Sequence, residues 1–386
     1  MDRDKRHIGW LWCLLMVILV ACSSGGEEDM EAPQPKPTLS IYVYAPEHPV
    51  VTRAETMVEA NDKENDIHKL QIWIFKTGTE ERIGYLKLSD DQLANLNSAV
   101  RHEVYRIEIP EDFASTPAEE RSKVDVYVLA NVTEDNCGSP KGEEAHRAEP
   151  LESSLERTNI ARNYFCPAKG LPADGLPMST VLREAKVDGE SPVLKITTAT
   201  LNRAISKIRF VFSSHESRES VQIEGVQLDG DLIPKTEYFF HPELNRQPYA
   251  EYKETVTSLL DFRTVTDGSN QIAKNSDPAS YRYDTTDGLT AFVNKINQGL
   301  KENKLSEWPV YLRETDKQLS GKIFYKVGND VNQRVATFKM SENGSFERNH
   351  TWIVYAYFAS TQLHVETIDI TPWEDKGLDD HTIYNW

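Results

Sequence analysis

Apolar residues recur at every second position in a series of short runs, which is the pattern of β-strands with one buried face. The first run spans 39–44 and places Leu39, Ile41 and Val43 on one face. Tyr42 and Tyr44 lie on the opposite face. Turn-forming residues separate the runs at short intervals, which favours an all-β sandwich. Further strands are predicted at 70–75, 105–109, 124–130, 208–212, 221–228 with a bulge at Gly225, 323–327, 335–340 and 352–358.

Helical periodicity occurs in one stretch near the middle of the second half. Five apolar residues recur there at helical spacing: Leu289, Phe292, Val293, Ile296 and Leu300. This pattern predicts an amphipathic helix that packs on a sheet. A second, shorter helix is predicted near residues 91–99.

Length and charge limit the classes of function. The 386 residues suggest two domains, which we place at 39–200 and 201–386. With 43 basic and 61 acidic residues the net charge is −18, which argues against binding to nucleic acid. The chain carries no phosphate-binding glycine loop, no zinc-type cysteine and histidine spacing and no nucleophile elbow. We therefore predict a protein that is not an enzyme and has neither a cofactor nor a metal.

The N-terminus has the layout of a secretory signal over residues 1–21. The signal ends in Leu-Val-Ala followed by Cys22, which resembles a bacterial lipobox. We expect a lipid on Cys22 to hold the precursor at the outer membrane, with residues 22–38 as a tether. The alternative is an ordinary signal peptide with a chance cysteine.

Two cysteines remain in the mature part of the chain, Cys137 and Cys166. A disulfide between them is allowed outside the cytoplasm. Free thiols are equally compatible with their spacing.

Several short strings together resemble the fimbrillin family, the subunits of the type V pili of Bacteroidales. In chain order these strings are Val126–Asn131, Gly175–Ser179, Leu201–Ile208, Glu347–His350 and Ile370–Trp373. Where the family usually has alanine, this chain has Ser206. The resemblance implies two tandem transthyretin-like β-sandwich domains and polymerisation by donor-strand exchange. It implies other fimbrial subunits, including anchor and tip proteins, as partners, and a mature location in an extracellular fimbrium that supports adhesion.

The family is matured by an arginine-specific protease, and the resemblance places that cut between Arg53 and Ala54. The residues are compatible with this placement, because Arg53 lies in a polar link behind the first predicted strand. A cut after Lys36 leaves that strand in its sheet, and a cut after Arg82 removes the next strand as well. Residues 39–53 are thus the predicted removable segment, although a linker arginine of no consequence is the alternative.

Removal of that strand exposes an apolar groove. Leu39, Ile41 and Val43 contribute roughly 1.5–3 kcal/mol each when buried, on the order of 5–9 kcal/mol together. A groove with two unpaired strand edges favours the addition of a replacement strand.

The predicted donor is the C-terminal tail, residues 374–386, of another subunit. In one register, the side chains that face into the groove are Leu378, Thr382, Tyr384 and Trp386. Ile383 does so in the register shifted by one, and the sequence leaves both open.

Other roles remain open at this level. Within the family the chain could serve as a stalk, tip or anchor subunit. Outside it, a surface glycan-binding lipoprotein is the main rival, and that role needs exposed aromatic rings. The aromatic candidates are Trp308, Tyr281 and Tyr283.

Overall fold

The computed structural model describes residues 36–45, 64–98, 101–132, 164–165, 175–234, 237–240, 255–340, 346–359 and 361–370. Strands dominate these residues, with three α-helices among them. The predicted all-β fold class is confirmed.

The first half of the chain contributes eleven of the described strands. They are β1 (Thr38–Tyr44), β2 (Leu70–Lys76), β3 (Arg82–Lys87), β4 (His102–Glu108), β5 (Val124–Ala130), β6 (Tyr164–Phe165), β7 (Met178–Ala185), β8 (Asp188–Glu190), β9 (Val193–Lys195), β10 (Ala199–Thr200) and β11 (Asn202–Arg203). Two short helices lie among them, α1 (Asp90–Leu96) and α2 (Glu111–Ser115).

The second half contributes the other twelve described strands. They are β12 (Ser206–His215), β13 (Val221–Leu228), β14 (Ile233–Pro234), β15 (Glu237–Tyr238), β16 (Thr255–Val256), β17 (Ser258–Asp261), β18 (Lys274–Asn275), β19 (Ser306–Leu312), β20 (Ser320–Val327), β21 (Arg334–Lys339), β22 (Thr351–Phe358) and β23 (Leu363–Ile370). A 3₁₀ turn (Pro278–Tyr281) precedes the helix α3 (Gly288–Lys301).

Four larger sheets form two sandwiches. In sheet 1, β1 pairs with β4, β9 and β10, and β8 follows β9. Sheet 2 has the order β11-β7-β5-β2-β3, and the inward side chains of sheets 1 and 2 form one hydrophobic core. Sheet 3 places β12 beside β19, β18 and β22, with β23 outside β22, and sheet 4 has the order β17-β13-β20-β21. Sheets 3 and 4 enclose the second core.

The local predictions agree with these elements. Helix α3 covers the outer face of sheet 3 with Phe292 and Ile296 buried, as its periodicity predicts. The bulge predicted at Gly225 is present, since the register of β13 against β20 shifts there. The boundary near residue 200 stays a prediction. The first core also includes Phe239, Phe240 and Tyr311, and contacts group residues 37–386 into one unit.

Candidate functional site

Strand β1 lies inside sheet 1 and has neighbours along both sides. On one side it pairs antiparallel with β4 through all seven of its residues. On the other side it runs parallel to two short strands. β9 pairs with residues 38–40 and β10 with residues 43–44. We call the space that β1 occupies between these strands the β1 slot.

Backbone hydrogen bonds assign alternate residues of β1 to the two sides of the slot. Even-numbered residues bond toward β9 and β10, through Thr38 N to Pro192 O (2.8 Å), Ile196 N to Ser40 O (3.0 Å) and Leu201 N to Tyr44 O (2.9 Å). Odd-numbered residues bond toward β4, through Ile109 N to Pro37 O (3.1 Å) and Ala45 N to Arg101 O (2.9 Å). Ile41 and Tyr42 have no register partner in β9 or β10. The second side of the slot is therefore interrupted opposite Tyr42.

The side chains of β1 follow the predicted alternation. Leu39, Ile41 and Val43 are 0% exposed and belong to the first core. Tyr42 points outward and is 41% exposed, and Tyr44 stacks on His102 with ring centroids 5.0 Å apart. The strand thus fills an apolar groove with three branched aliphatic side chains.

The first long strand of the second sandwich provides an internal comparison. Like β1, β12 has an antiparallel neighbour on one side and a parallel neighbour on the other. Its parallel ladder with β22 runs through eight consecutive positions, whereas the parallel ladder of β1 has five positions in two pieces. Of these two strands, β1 has the weaker attachment on its parallel side.

Residues 64–68, which we call the clamped segment, begin the next described range after residues 36–45. The Glu64 carboxylate is buried and accepts hydrogen bonds from Lys207 Nζ (2.7 Å) and from the Tyr311 hydroxyl. Lys207 and Tyr311 are directly opposite each other in sheet 3. Burial lowers the pKa of Lys207, and Glu64 offsets this only in part. Burial, with the Glu64 charge, raises the pKa of Tyr311.

The remaining four residues of the clamped segment are held by side chains of the first sandwich. Each bond involves a backbone or side-chain amide group. The bonds are Arg101 to Asn65 O, Arg203 to Asn65 Oδ1, Asn131 Nδ2 to Asp66 O (2.7 Å), Ile67 N to Asn97 Oδ1 (2.8 Å), Asn97 Nδ2 to Ile67 O (2.7 Å) and His68 N to Asn131 Oδ1 (2.8 Å). The segment is fixed without any strand pairing of its own.

Four of the strings that carry the family resemblance meet around this segment. Asn131 also donates to Leu176 O (3.0 Å), and it leaves room only for a glycine at 175, where φ is +80° and a Cβ would lie 2.5 Å from Asn131 Nδ2. Arg203 donates to Asn349 Oδ1 (3.0 Å), and Ser206 donates to the carbonyl of Glu347. These strings therefore build the junction between the two sandwiches.

Two further ion pairs are buried in the second half of the chain, and one of them reaches Phe239 of the first core. Arg209 pairs with Glu307 and donates to Asn297 Oδ1 of α3 (2.9 Å). Burial acts to lower the pKa of Arg209, but Glu307 more than offsets this and the pKa is raised. Arg348 pairs with Glu314 (2.6 Å) and donates to Phe239 O (2.7 Å).

The residues predicted for lipidation, cleavage, a disulfide and strand donation lie outside the described residues. These are Cys22, Arg53, Ala54, Cys137, Cys166 and the tail residues Leu378, Thr382, Ile383, Tyr384 and Trp386. Sequence reasoning missed the clamped segment, because the polar stretch 52–68 has no apolar period of its own. Glu64 and Asn65 are nevertheless buried. Their polar character gave no signal of burial, since their partners are far away in the chain.

The three aromatic residues considered for glycan binding do not form an exposed platform. Trp308 lies between Phe212 and Phe262, with centroids 5.3 Å from each. Tyr281 is 8% exposed, and Tyr283 packs edge-on against Phe292.

Two negative findings concern the described residues alone. In this part of the chain, no helix has the length and apolar character needed to cross a bilayer. Nor do the described ranges contain a group of three or more residues that could hold a metal ion.

Comparison with known proteins gives structural neighbours only. No family model matches the sequence, and no curated protein matches it. The tip fimbrial protein Mfa3 from Porphyromonas gingivalis with C-terminal truncation is similar over 88% of this chain and 100% of its own, at 12% identity and a TM-score of 0.48. A protein of Bacteroides eggerthii DSM 20697, described as a cell-adhesion candidate, is similar over 86% of this chain and 95% of its own, at 12% identity and a TM-score of 0.46. A fimbrial assembly protein from Parabacteroides distasonis ATCC 8503 is similar over 87% of this chain and 100% of its own, at 12% identity and a TM-score of 0.42.

These neighbours are fimbrial and cell-adhesion proteins of Bacteroidales, the class that the sequence strings predict. With TM-scores below 0.5, the likeness by itself assigns no mechanism and no partner to this chain.

Proposed function

We propose that this protein is a structural subunit of a surface fimbrium that supports adhesion and has no catalytic role. It is exported as a lipoprotein precursor with its lipid on Cys22 and is cleaved between Arg53 and Ala54. The cut releases β1, and the C-terminal tail of a second subunit, residues 374–386, then fills the β1 slot. The partners are other fimbrial subunits, the protease and, before the cut, the outer membrane.

The observation that carries this proposal is the position of β1. The strand is bounded on both sides, so its removal leaves a slot with two unpaired edges and an apolar floor. The burial lost with Leu39, Ile41 and Val43 is on the order of 5–9 kcal/mol, which favours refilling by another strand. Main-chain pairing with alternating side-chain pockets is an established way to bind an extended peptide.

The clamped segment supports the proposal from the other side of the cut. Residues 64–68 are held by Lys207, Tyr311, Arg101, Arg203, Asn97 and Asn131, none of which belongs to β1. Loss of β1 therefore leaves the rest of the first sandwich connected to the second.

Head-to-tail exchange produces a filament, because each subunit gives one strand and receives one without closing a ring. The glycan-binding alternative has no support from Trp308, Tyr281 or Tyr283, which pack against neighbouring side chains.

Cleavage of the purified, lipid-free chain with an arginine-specific protease tests the proposal. We expect a new N-terminus at Ala54 and a ladder of high-mass species on gels. Arg53→Ala should stay monomeric, whereas Arg82→Ala, which removes an exposed arginine from β3, should polymerise normally. A chain shortened before Glu374 should be cut without polymerising. Equal polymerisation of Arg53→Ala and the parent would contradict the cleavage site.

The N-terminal residue of the protein recovered from the cell surface separates the roles within the fimbrium. Ala54 supports a polymerised subunit. A lipidated Cys22 on the surface form would instead identify an anchor subunit.

A further inference from the structure

Part of one edge of the β1 slot, beside residues 38–40, is a small exposed hairpin. β8 and β9 pair through residues 188–195, and of these residues only Leu194 is buried. Strand β8 requires glycine at position 189, where φ is +92° and a Cβ would lie 2.9 Å from Val193 O. The hairpin contributes little apolar surface of its own.

This hairpin depends on β1 for its place in the sheet. β9 has two strand partners, β8 and residues 38–40 of β1. When β1 leaves, β9 remains in a two-stranded hairpin, which is marginally stable in water. The edge that an incoming strand needs is therefore the one most affected by the removal of β1.

Arg121 connects this hairpin to the body of the first sandwich. Its Nη1 donates to Gly189 O (3.1 Å) and Val187 O (3.4 Å), at the base of the hairpin. Its Nη2 donates to Ala114 O (3.2 Å) and Thr116 O (2.8 Å), at the end of α2. α2 is itself fixed by Phe113 and Ala114, which are buried in the first core.

We propose that Arg121 is a positioning residue for strand exchange, which keeps β9 in place as an edge of the slot while β1 is absent. The inference rests on the proposed function. A guanidinium suits this role, because its rigid fork of donors bridges two pairs of carbonyls at once. Lysine offers a point charge and cannot reproduce the bridge.

Amide hydrogen exchange in the uncut, full-length chain tests the bridge without any strand release. The Ile196 amide, which donates to Ser40 O beside β9, should exchange about tenfold faster in Arg121→Met. The Leu201 amide, which donates to Tyr44 O beside β10, should be unchanged. Arg218→Met is the matched control, since Arg218 donates to a carbonyl, Ala359 O, in the second sandwich. Unchanged exchange at Ile196 would overturn the proposal.

Peptide dissociation tests the role in exchange. A recognition sequence for a specific protease is inserted after Arg53, and the variant chain is cut there. A labelled peptide that copies residues 36–45 is then added to occupy the β1 slot. We expect the peptide to leave Arg121→Met about tenfold faster than the parent, and Arg121→Lys at an intermediate rate. Arg218→Met should match the parent.

A double cycle separates positioning from general destabilisation. N-methylation at Ser40 of the peptide removes a bond toward β9, and N-methylation at Tyr44 removes one toward β10. The effect of Arg121→Met on the dissociation rate should depend on whether Ser40 of the peptide is methylated. It should be the same whether or not Tyr44 is methylated. The role of Arg121 would be overturned if its effect on the dissociation rate were independent of both N-methylations, or if Arg121→Met left the rate unchanged. Either result would leave the proposed function intact. If the cut parent takes up no peptide, the proposed function fails instead, and Ile196 exchange still decides whether the bridge exists.

Discussion

Lys207 and Glu64 show at the residue scale how a polar pair can be buried by distant parts of the chain. Lys207 alternates with Ile208 along β12, so sequence pattern alone places it on a solvent-facing side. In the structure that side is covered, and both side chains of the pair are less than 10% exposed. Breaking a buried pair by removing one partner is costly, because it leaves an uncompensated charge.

We therefore predict that Lys207→Met lowers the free energy of unfolding by about 3–5 kcal/mol. The double variant Glu64→Gln with Lys207→Met should recover part of this loss, because the remaining buried carboxylate is gone. Urea unfolding of the full chain at neutral pH measures both values. Lys186→Met, which breaks the exposed pair with Asp188, is the control and should change stability by less than about 1 kcal/mol. A double variant less stable than the single one would contradict this account.

Strand β1 is the element on which the proposed function depends, and its two sides are unequal. Its ladder with β4 is continuous, whereas the side toward β9 and β10 is interrupted opposite Tyr42. By alternation, the amide of Tyr42 faces that interruption and the amide of Ile41 faces β4. A strand that occupies the slot thus has one position where a backbone donor contributes little.

This predicts a position-specific response to N-methylation of the peptide copying residues 36–45. N-methyl Tyr42 should bind the cut chain within about threefold of the parent peptide, whereas N-methyl Ile41 should bind at least about tenfold more weakly. Fluorescence anisotropy with labelled peptides measures both. Equal weakening at the two positions would show that the interruption has no role in recognition.

Other elements show where local pattern was sufficient and where it was not. β1, β2, β5, β12, β20 and β22 were predictable, because alternating aliphatic and aromatic residues leave few other structures. β19 was missed, since Pro309 interrupts its pattern. Proline is tolerated there because β19 pairs with β12 on one side only among the described strands.

The junction between the sandwiches matters at the scale of the whole molecule. Glu64, Arg203 and Arg348 connect the clamped segment, sheet 2 and the second half of the chain through buried hydrogen bonds. If one sandwich unfolded alone, it would leave buried charged groups of the other without partners. The two sandwiches should therefore unfold together.

Urea-dependent amide exchange checks this prediction with one probe in each core. Protection of the Val128 amide in β5 and of the Val354 amide in β22 should disappear at the same urea concentration in the parent chain. In Lys207→Met the two midpoints should separate. Distinct midpoints in the parent would contradict cooperative unfolding across the junction.

The sequence by itself determined the long strands with regular alternation, the face of each that enters a sandwich core, and helix α3. These follow from periods of two and 3.6 residues, which report on burial within one element. It also nominated the three side chains that fill the slot. Only the tertiary structure decided which strands border β1, that Arg121 holds one of those borders, and that Glu64 is buried against Lys207. Such contacts join residues far apart in the chain, and alternation records only whether a side chain faces inward, never which distant group it meets.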